Sequence, residues 1–125
     1  DQKMSLEVGW HLADNKALPK TLPNFDILIS NPPYVTAEEK KHMLANVLDY
    51  EPHLALFTPE GEPLFYYKKI MEMAQKKLRP NGRVYLEINP MFYYELGEMV
   101  VSFGFKKVEL RKDIFDKKRM LCCQR

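Results

Sequence analysis

Phe25-Asp26-Ile27-Leu28-Ile29-Ser30-Asn31-Pro32-Pro33-Tyr34-Val35 is the segment that decides the fold we expect for this chain. Ile27, Leu28 and Ile29 in succession predict a strand that is buried on both faces, as in a parallel sheet. Asn31-Pro32-Pro33-Tyr34 then lies at the carboxyl end of that strand, where open α/β sheets bind their ligands. The sequence therefore predicts a functional site at residues 31–34.

The two prolines restrict the backbone of this tetrapeptide. They fix φ and lack N–H groups, so the loop cannot continue a strand ladder. The Asn31 side-chain oxygen and the carbonyls of residues 30–32 can together accept both hydrogens of a planar –NH2 group, while the Tyr34 ring covers its flat face. Such a site would restore electron density to the nitrogen and align it with an electrophilic methyl group. The alternative is an ordinary strand-terminating turn, because Asn and Pro are common turn residues.

The rest of the chain alternates strand and helix patterns. Met4–Val8 alternates apolar and polar residues and predicts a short strand. Thr36 and Glu39 have the spacing of a capping box, which predicts a short helix reaching Leu48. A longer helix begins near Pro63, with apolar positions at helical spacing: Leu64, Tyr67, Met71, Ala74 and Leu78.

Beyond this helix, the sequence predicts a turn at 79–82 and a strand at 83–88, so that strand, helix and strand form a parallel crossover unit. Residues 91–103 keep helical spacing and Gly104 follows as the C-terminal cap. Two further strands are expected, at 105–110 and 119–124. The basic residues between or beside them predict a solvated hairpin end or, alternatively, a contact with an acidic or ribosomal partner: Arg111, Lys112, Lys117 and Lys118.

Composition sets limits on size and location. The 125 residues are enough for one domain, and a formal net charge of +2 gives no independent reason to expect nucleic acid or a membrane. The only cysteines are the adjacent pair Cys122 and Cys123, which is typical of reduced thiols in a cytoplasmic protein. No signal peptide and no apolar run of membrane-spanning length is visible in the sequence. We expect no metal site.

The tetrapeptide after an apolar strand resembles the substrate-amino motif of S-adenosyl-methionine-dependent methyltransferases that act on amide or exocyclic amino nitrogens. Further segments are similar to the HemK/PrmC family: Asp49-Tyr50-Glu51-Pro52, Ala55-Leu56, Leu86-Glu87, Gly104-Phe105, and Asp113 with Arg119. Members of that family methylate the side-chain amide of a glutamine in peptide-chain release factors. The resemblance implies an α/β, partial Rossmann-like methyltransferase fold, the back half of the sheet, whose last strand is antiparallel.

The same resemblance implies roles for single residues. Asn31, Pro32 and Tyr34 would be catalytic, and Pro33 would join them in binding the substrate amide. Asn31 would also contact the cofactor S-adenosyl-methionine. Glu51 would be a structural clamp behind the loop, with a direct catalytic role as the alternative.

The chain departs from the family at the cofactor side. Gly9 stands where the family has an acidic residue near the adenine of the cofactor, and Asp14 is the candidate substitute. Asn89 and Phe92 stand where the family has glycine and glutamine. None of the glycines forms a G-x-G cluster: Gly9, Gly61, Gly82, Gly97 and Gly104. We therefore interpret residues 1–125 as the C-terminal half of a class I methyltransferase domain, which we expect to be inactive alone.

Two alternatives stay open at this point. In the first, the chain is an inactive half-domain that works as a binding module. In the second, it is an amino-methyltransferase acting on DNA adenine, which the tetrapeptide alone permits. The near-neutral charge argues against nucleic acid as the partner. In the half-domain interpretation the strand at 25–30 has an unpaired edge, which predicts self-association.

Overall fold

A computed structural model describes residues 23–42, 58–59 and 61–125. The predicted strand Met4–Val8, residues 43–48 of the predicted short helix, and the candidates Asp14 and Glu51 lie outside the described residues. The described elements are, in chain order, β1 (Phe25–Ser30), α1 (Ala37–Lys40), α2 (Phe65–Lys77), β2 (Leu78–Glu87), a 3-10 turn (Pro90–Phe92), α3 (Tyr93–Ser102), β3 (Lys106–Lys112) and β4 (Lys118–Gln124).

The four described strands form one sheet in the order β1-β2-β4-β3. β1 and β2 are parallel, with Leu28 opposite Val84 and Ser30 opposite Leu86. β4 is antiparallel to both β2 and β3. The parallel strand-helix-strand unit and the antiparallel last strand were both predicted, and both predictions are confirmed.

The hydrophobic core lies between one face of the sheet and the two longer helices. Strand residues that alternate along the chain point into it, because successive side chains of a strand face opposite sides. The core residues from the strands are Leu28, Val84, Leu86, Leu121 and Cys123, and those from the helices include Tyr67, Ile70, Met71, Ala74, Leu96 and Val100. The parallel pairing of β1 with β2 places the carboxyl ends of these two strands side by side.

The prediction that β1 is buried on both faces is wrong for the described structure. Leu28 is buried, but Ile27 is exposed and Ile29 is 78% exposed. Both isoleucines share a face with their β2 partners Arg83 and Tyr85. The described helices α2 and α3 pack on the Leu28 side, so no described helix covers the isoleucine side.

The predicted turn at residues 79–82 is an irregularity inside β2. Phe25 pairs with Leu78 and Ile27 with Arg83, so four β2 residues oppose a single residue of β1. A Cβ on Gly82 would come 2.8 Å from the Asp26 carbonyl oxygen, a contact too close for any side chain. Glycine therefore allows β1 to approach β2 at this point.

The predicted helix ends are largely confirmed. Thr36 and Glu39 form the reciprocal hydrogen bonds of a capping box at the start of α1. Gly104 has a φ of +86° just after α3, the left-handed conformation expected of a C-terminal cap. The helix predicted from Met91 begins as a 3-10 turn at Pro90 and becomes α-helical at Tyr93.

Candidate functional site

Asn31 is the first residue after β1, at the carboxyl end of the sheet. Its side chain is exposed, and it makes no hydrogen bond to any of the described residues. Pro32 is buried and Pro33 half-buried, so the loop is anchored immediately after Asn31. An amide side chain with free hydrogen-bonding capacity, on a loop fixed by proline, is suited to binding a polar ligand.

Tyr34 ties the loop to two other strands. Its hydroxyl donates to Glu87 Oε1 at 2.6 Å and accepts from Arg119 Nη1 at 3.3 Å. Burial, the hydrogen bond to Glu87 and the Glu87 charge raise the pKa of Tyr34 above its usual value. The hydroxyl is therefore protonated at neutral pH. Its hydrogen bonds hold the partly buried Tyr34 ring against the hydrophobic core.

Asn89 binds the same loop from the end of β2. It is 2% exposed, and its Nδ2 donates to the Tyr34 carbonyl oxygen at 3.0 Å and to Glu39 Oε2 at 2.9 Å. Its Oδ1 accepts from the Met91 backbone N–H at 3.0 Å. One buried side chain thus joins the candidate loop, α1 and the 3-10 turn, and every polar atom of its amide has a partner.

Glu39 is the acceptor that completes this network. Its Oε2 accepts from the Thr36 backbone N–H at 2.9 Å and the Thr36 hydroxyl at 3.0 Å, besides Asn89. The capping box therefore has a second role, because it also positions the residues that follow Tyr34. The helix start is in this way linked to the end of β2.

Tyr67 supports the network from the core. Its hydroxyl donates to the Glu87 carbonyl oxygen at 3.1 Å and accepts from the Asn89 backbone N–H at 3.2 Å. Burial raises the pKa of Tyr67 well above its usual value. The hydroxyl thus stays protonated and satisfies two backbone groups at the point where β2 ends.

The structure joins the predicted loop to residues far away in sequence through one of its members, Tyr34. Asn31, Pro32, Pro33 and Tyr34 form the predicted loop, and Glu87 and Arg119 meet at Tyr34 as segments that the resemblance had already singled out. Asn89 was noted only as a departure from the family, and its role in holding the loop was missed. Its position before Pro90 carries a signal, since Asn followed by Pro is typical of a helix start.

The described residues contain neither a metal-binding cluster nor a membrane-spanning helix. No group of His, Cys, Asp and Glu side chains in residues 23–42, 58–59 and 61–125 is arranged to hold a metal ion. Over the same ranges, no helix has the length and apolarity needed to cross a membrane.

The chain is similar in sequence to curated methyltransferases. The chain is 46% identical over 102 residues to a release factor glutamine methyltransferase from Bacteroides thetaiotaomicron, a match that covers 82% of this chain and 37% of that protein. It is 47% identical over 97 residues to the protein of the same name from Flavobacterium psychrophilum, covering 78% of this chain and 34% of that protein. The chain thus spans about a third of the length of these curated relatives. No protein-family model matches it.

The resemblance to the HemK/PrmC family is confirmed. The chain also resembles a methyltransferase of known structure from Pyrococcus furiosus, with a TM-score of 0.57, 19% identity, and coverage of 89% of this chain and 47% of that one. At this level of identity the likeness concerns the fold alone. It agrees with the mixed α/β sheet described above, and the predicted partial Rossmann-like methyltransferase fold is confirmed.

Proposed function

We propose that this chain forms the glutamine-binding part of a methyltransferase that moves a methyl group from S-adenosyl-methionine to the side-chain amide nitrogen of a glutamine in peptide-chain release factors. The observation that carries the proposal is the exposed Asn31 amide, without a partner among the described residues, on a loop fixed at Tyr34. The names of the relatives support release factors as the substrate.

The proposed role of the loop is to accept hydrogen bonds from the substrate amide. An amide nitrogen is a weak nucleophile because its lone pair is delocalised into the carbonyl group. Asn31 Oδ1 and a carbonyl of the proline segment would accept its two hydrogens and fix its orientation, and Tyr34 would pack on its flat face. Preorganised acceptors of this kind stabilise the charge that develops on nitrogen as it is methylated.

The residues expected to contact the methyl donor lie mostly outside the described part of the chain. Of the residues that the sequence analysis assigned to the donor, only Asn31 is described, and no glycines of the chain are spaced as G-x-G. The proposal assigns to this chain the amide side of the reaction.

We propose further that residues 1–125 correspond to the C-terminal half of a class I methyltransferase domain and are inactive alone. The support is the partial coverage of the relatives. A cytoplasmic location is also proposed, because Cys122 and Cys123 are both free thiols. Burial raises the pKa of Cys123 to about 12, which keeps that thiol protonated and unreactive at neutral pH.

The test uses a chimera in which this chain replaces the matching region of the Bacteroides thetaiotaomicron relative. We expect the chimera to methylate a glutamine of a release factor from that organism, detected by mass spectrometry under single-turnover conditions. Asn31→Ala removes one of the two acceptors and leaves the amide misaligned. It should lower the rate on the order of a hundredfold, equivalent to roughly 3 kcal/mol.

Asn24→Ala is the matched control. Asn24 is an exposed asparagine just before β1, about 20 Å from Asn31 by the rise of the intervening strand. It should leave the rate unchanged. Equal rates for Asn31→Ala and Asn24→Ala would refute the amide-positioning role, and methylation of adenine in DNA instead of glutamine would favour the DNA alternative.

A further inference from the structure

The hairpin between β3 and β4 exposes two large apolar side chains at its tip. Ile114 is 92% exposed and Phe115 is 75% exposed. Side chains of this kind on a monomer surface mark interaction sites when they lie together beside other apolar groups. The proposed chemistry of the Asn31 loop makes no use of either residue.

The tip is held in a defined conformation by Asp113. Its Oδ1 accepts from the backbone N–H groups of Phe115 at 2.8 Å and Lys117 at 3.0 Å. The Asp113 N–H donates to the Lys117 carbonyl oxygen at 2.8 Å, and Asp116 takes a φ of +62° to close the turn. The two apolar side chains are thus displayed by an ordered turn.

Further exposed apolar residues adjoin the base of the hairpin. The Lys118 ammonium lies 3.9 Å from the centre of the Tyr93 ring and 6.0 Å from that of Tyr94. Tyr94 is 72% exposed, and Met91 on the preceding 3-10 turn is also exposed. We call Met91, Tyr94, Ile114, Phe115 and Lys118 the hairpin surface.

The hairpin surface is continuous with the candidate site. Arg119, which follows Lys118, contacts both Asp113 at the tip and the Tyr34 hydroxyl in the loop. Met91 is hydrogen-bonded to Asn89, which holds the same loop. A protein that places a glutamine against Asn31 therefore comes close to this surface.

The charge of the hairpin is strongly basic. Residues 111–119 include five basic and two acidic side chains. Both acidic groups are paired, Asp113 with Arg119 and Asp116 with Lys112. Arg111 pairs with Glu109 on β3, so that Lys117 and Lys118 are the basic residues of this range without a carboxylate partner among the described residues. These two lysines favour an acidic partner. The exposed aromatic and methionine side chains beside them are of the types that are enriched at protein interfaces.

We propose that the hairpin surface binds the protein that carries the target glutamine, through an apolar and acidic segment close to that glutamine. The inference rests on the proposed function, since it names the surface by which that substrate protein is bound. Asn31 would then select the amide, and the hairpin surface would select the protein that presents it.

The test compares two variants of the chimera described above. Ile114→Ser with Phe115→Ser should raise KM for the intact release factor by about tenfold, the effect expected when the large apolar side chains at the centre of an interface are lost. Its kcat, and its activity on a short peptide containing the glutamine, should stay unchanged. Val101→Ser, an exposed apolar residue on α3, is the matched control and should change none of these values.

A binding measurement on the 125-residue chain separates this inference from the proposed function. Isotope-labelled chain is titrated with the unmethylated release factor, and we expect NMR shifts at residues 91–94 and 112–118 that the double variant loses. If the 125-residue chain binds the release factor at these residues but the chimera methylates nothing, the proposed function fails and the surface assignment stands. An active chimera whose KM is unaffected by the double variant would overturn the surface assignment. Binding of RNA or of anionic phosphatidylglycerol vesicles at the hairpin surface, without binding of the release factor, would overturn it as well.

Discussion

Asn89 has both amide hydrogens and its carbonyl oxygen engaged while being almost completely buried. Its replacement by alanine leaves the Tyr34 carbonyl oxygen and the Met91 N–H without their partners. We predict that Asn89→Ala lowers the free energy of unfolding by about 2 kcal/mol, the usual effect of leaving buried polar groups unsatisfied. Urea unfolding of the 125-residue chain, followed by circular dichroism, measures this loss.

Two further variants test the assignment. Gln75→Ala removes an exposed amide hydrogen bond to the Phe103 carbonyl oxygen and should change stability by less than about 0.5 kcal/mol. Asn89→Asp keeps the acceptor for Met91 but places a carboxylate against Glu39, so at neutral pH it should be at least as destabilising as Asn89→Ala. A stability loss in Asn89→Ala no larger than that in Gln75→Ala would contradict the role assigned to Asn89.

At the scale of single residues, the sequence predicts those features that depend only on neighbouring residues. The loop at residues 31–34 follows an apolar run and contains two prolines, so its place and stiffness can be inferred from neighbouring residues. The partners of Tyr34 cannot be inferred in this way, because Glu87 is 53 residues and Arg119 85 residues away. Family resemblance marked both of these positions but assigned neither to the loop.

The β3–β4 hairpin depends on one carboxylate whose charge can be titrated. The hydrogen bond from the Lys117 N–H, with those from Phe115 and Arg119, lowers the pKa of Asp113 below its usual value of 3.8. A lowered folded-state pKa means that the charged group stabilises the turn fully above about pH 4. That contribution is lost as the pH falls through the folded-state pKa. We predict that the Phe115 and Lys117 amide resonances shift, and exchange faster with solvent, over this acidic range.

Asp113→Asn should remove the acidic transition at both amides, because no charge is left to titrate. Asp26→Asn is the control, since Asp26 forms an exposed ion pair with Arg79 far from the hairpin. It should leave the transition in place. A transition that persists in Asp113→Asn would show that another group controls the hairpin.

The elements that the sequence predicts well are those with terminal signals. The capping box at Thr36 and the glycine cap at Gly104 both lie where the pattern places them. The turn predicted at residues 79–82 is part of β2, because the residues on either side of it, Leu78 and Arg83, both pair with β1. Gly82 permits the close approach of the two strands. Turn residues inside a strand look the same in sequence as those between elements.

At the scale of the whole chain, periodicity predicts the two longer helices and the four described strands, but not which face of the sheet the helices cover. The prediction that β1 is buried on both faces was wrong because three consecutive apolar residues indicate a preference for burial. They do not indicate which element of the chain covers them. Ile27 and Ile29 lie on the side of the sheet that the described helices leave open. Exposed apolar residues on a strand increase the tendency of a chain to associate.

β1 also lies at an edge of the described sheet and pairs there only with β2. An edge strand presents unpaired N–H and C=O groups, and here it carries two exposed isoleucines as well. We predict that the 125-residue chain self-associates through Phe25–Ser30, which sedimentation velocity over a range of concentrations detects. Ile29→Lys should weaken the association by about tenfold, because a lysine on an edge strand must be desolvated before another strand can pair with it. Val101→Lys introduces the same charge on the exposed side of α3 and should leave the association unchanged. A chain that stays monomeric and folded at every concentration would refute the prediction.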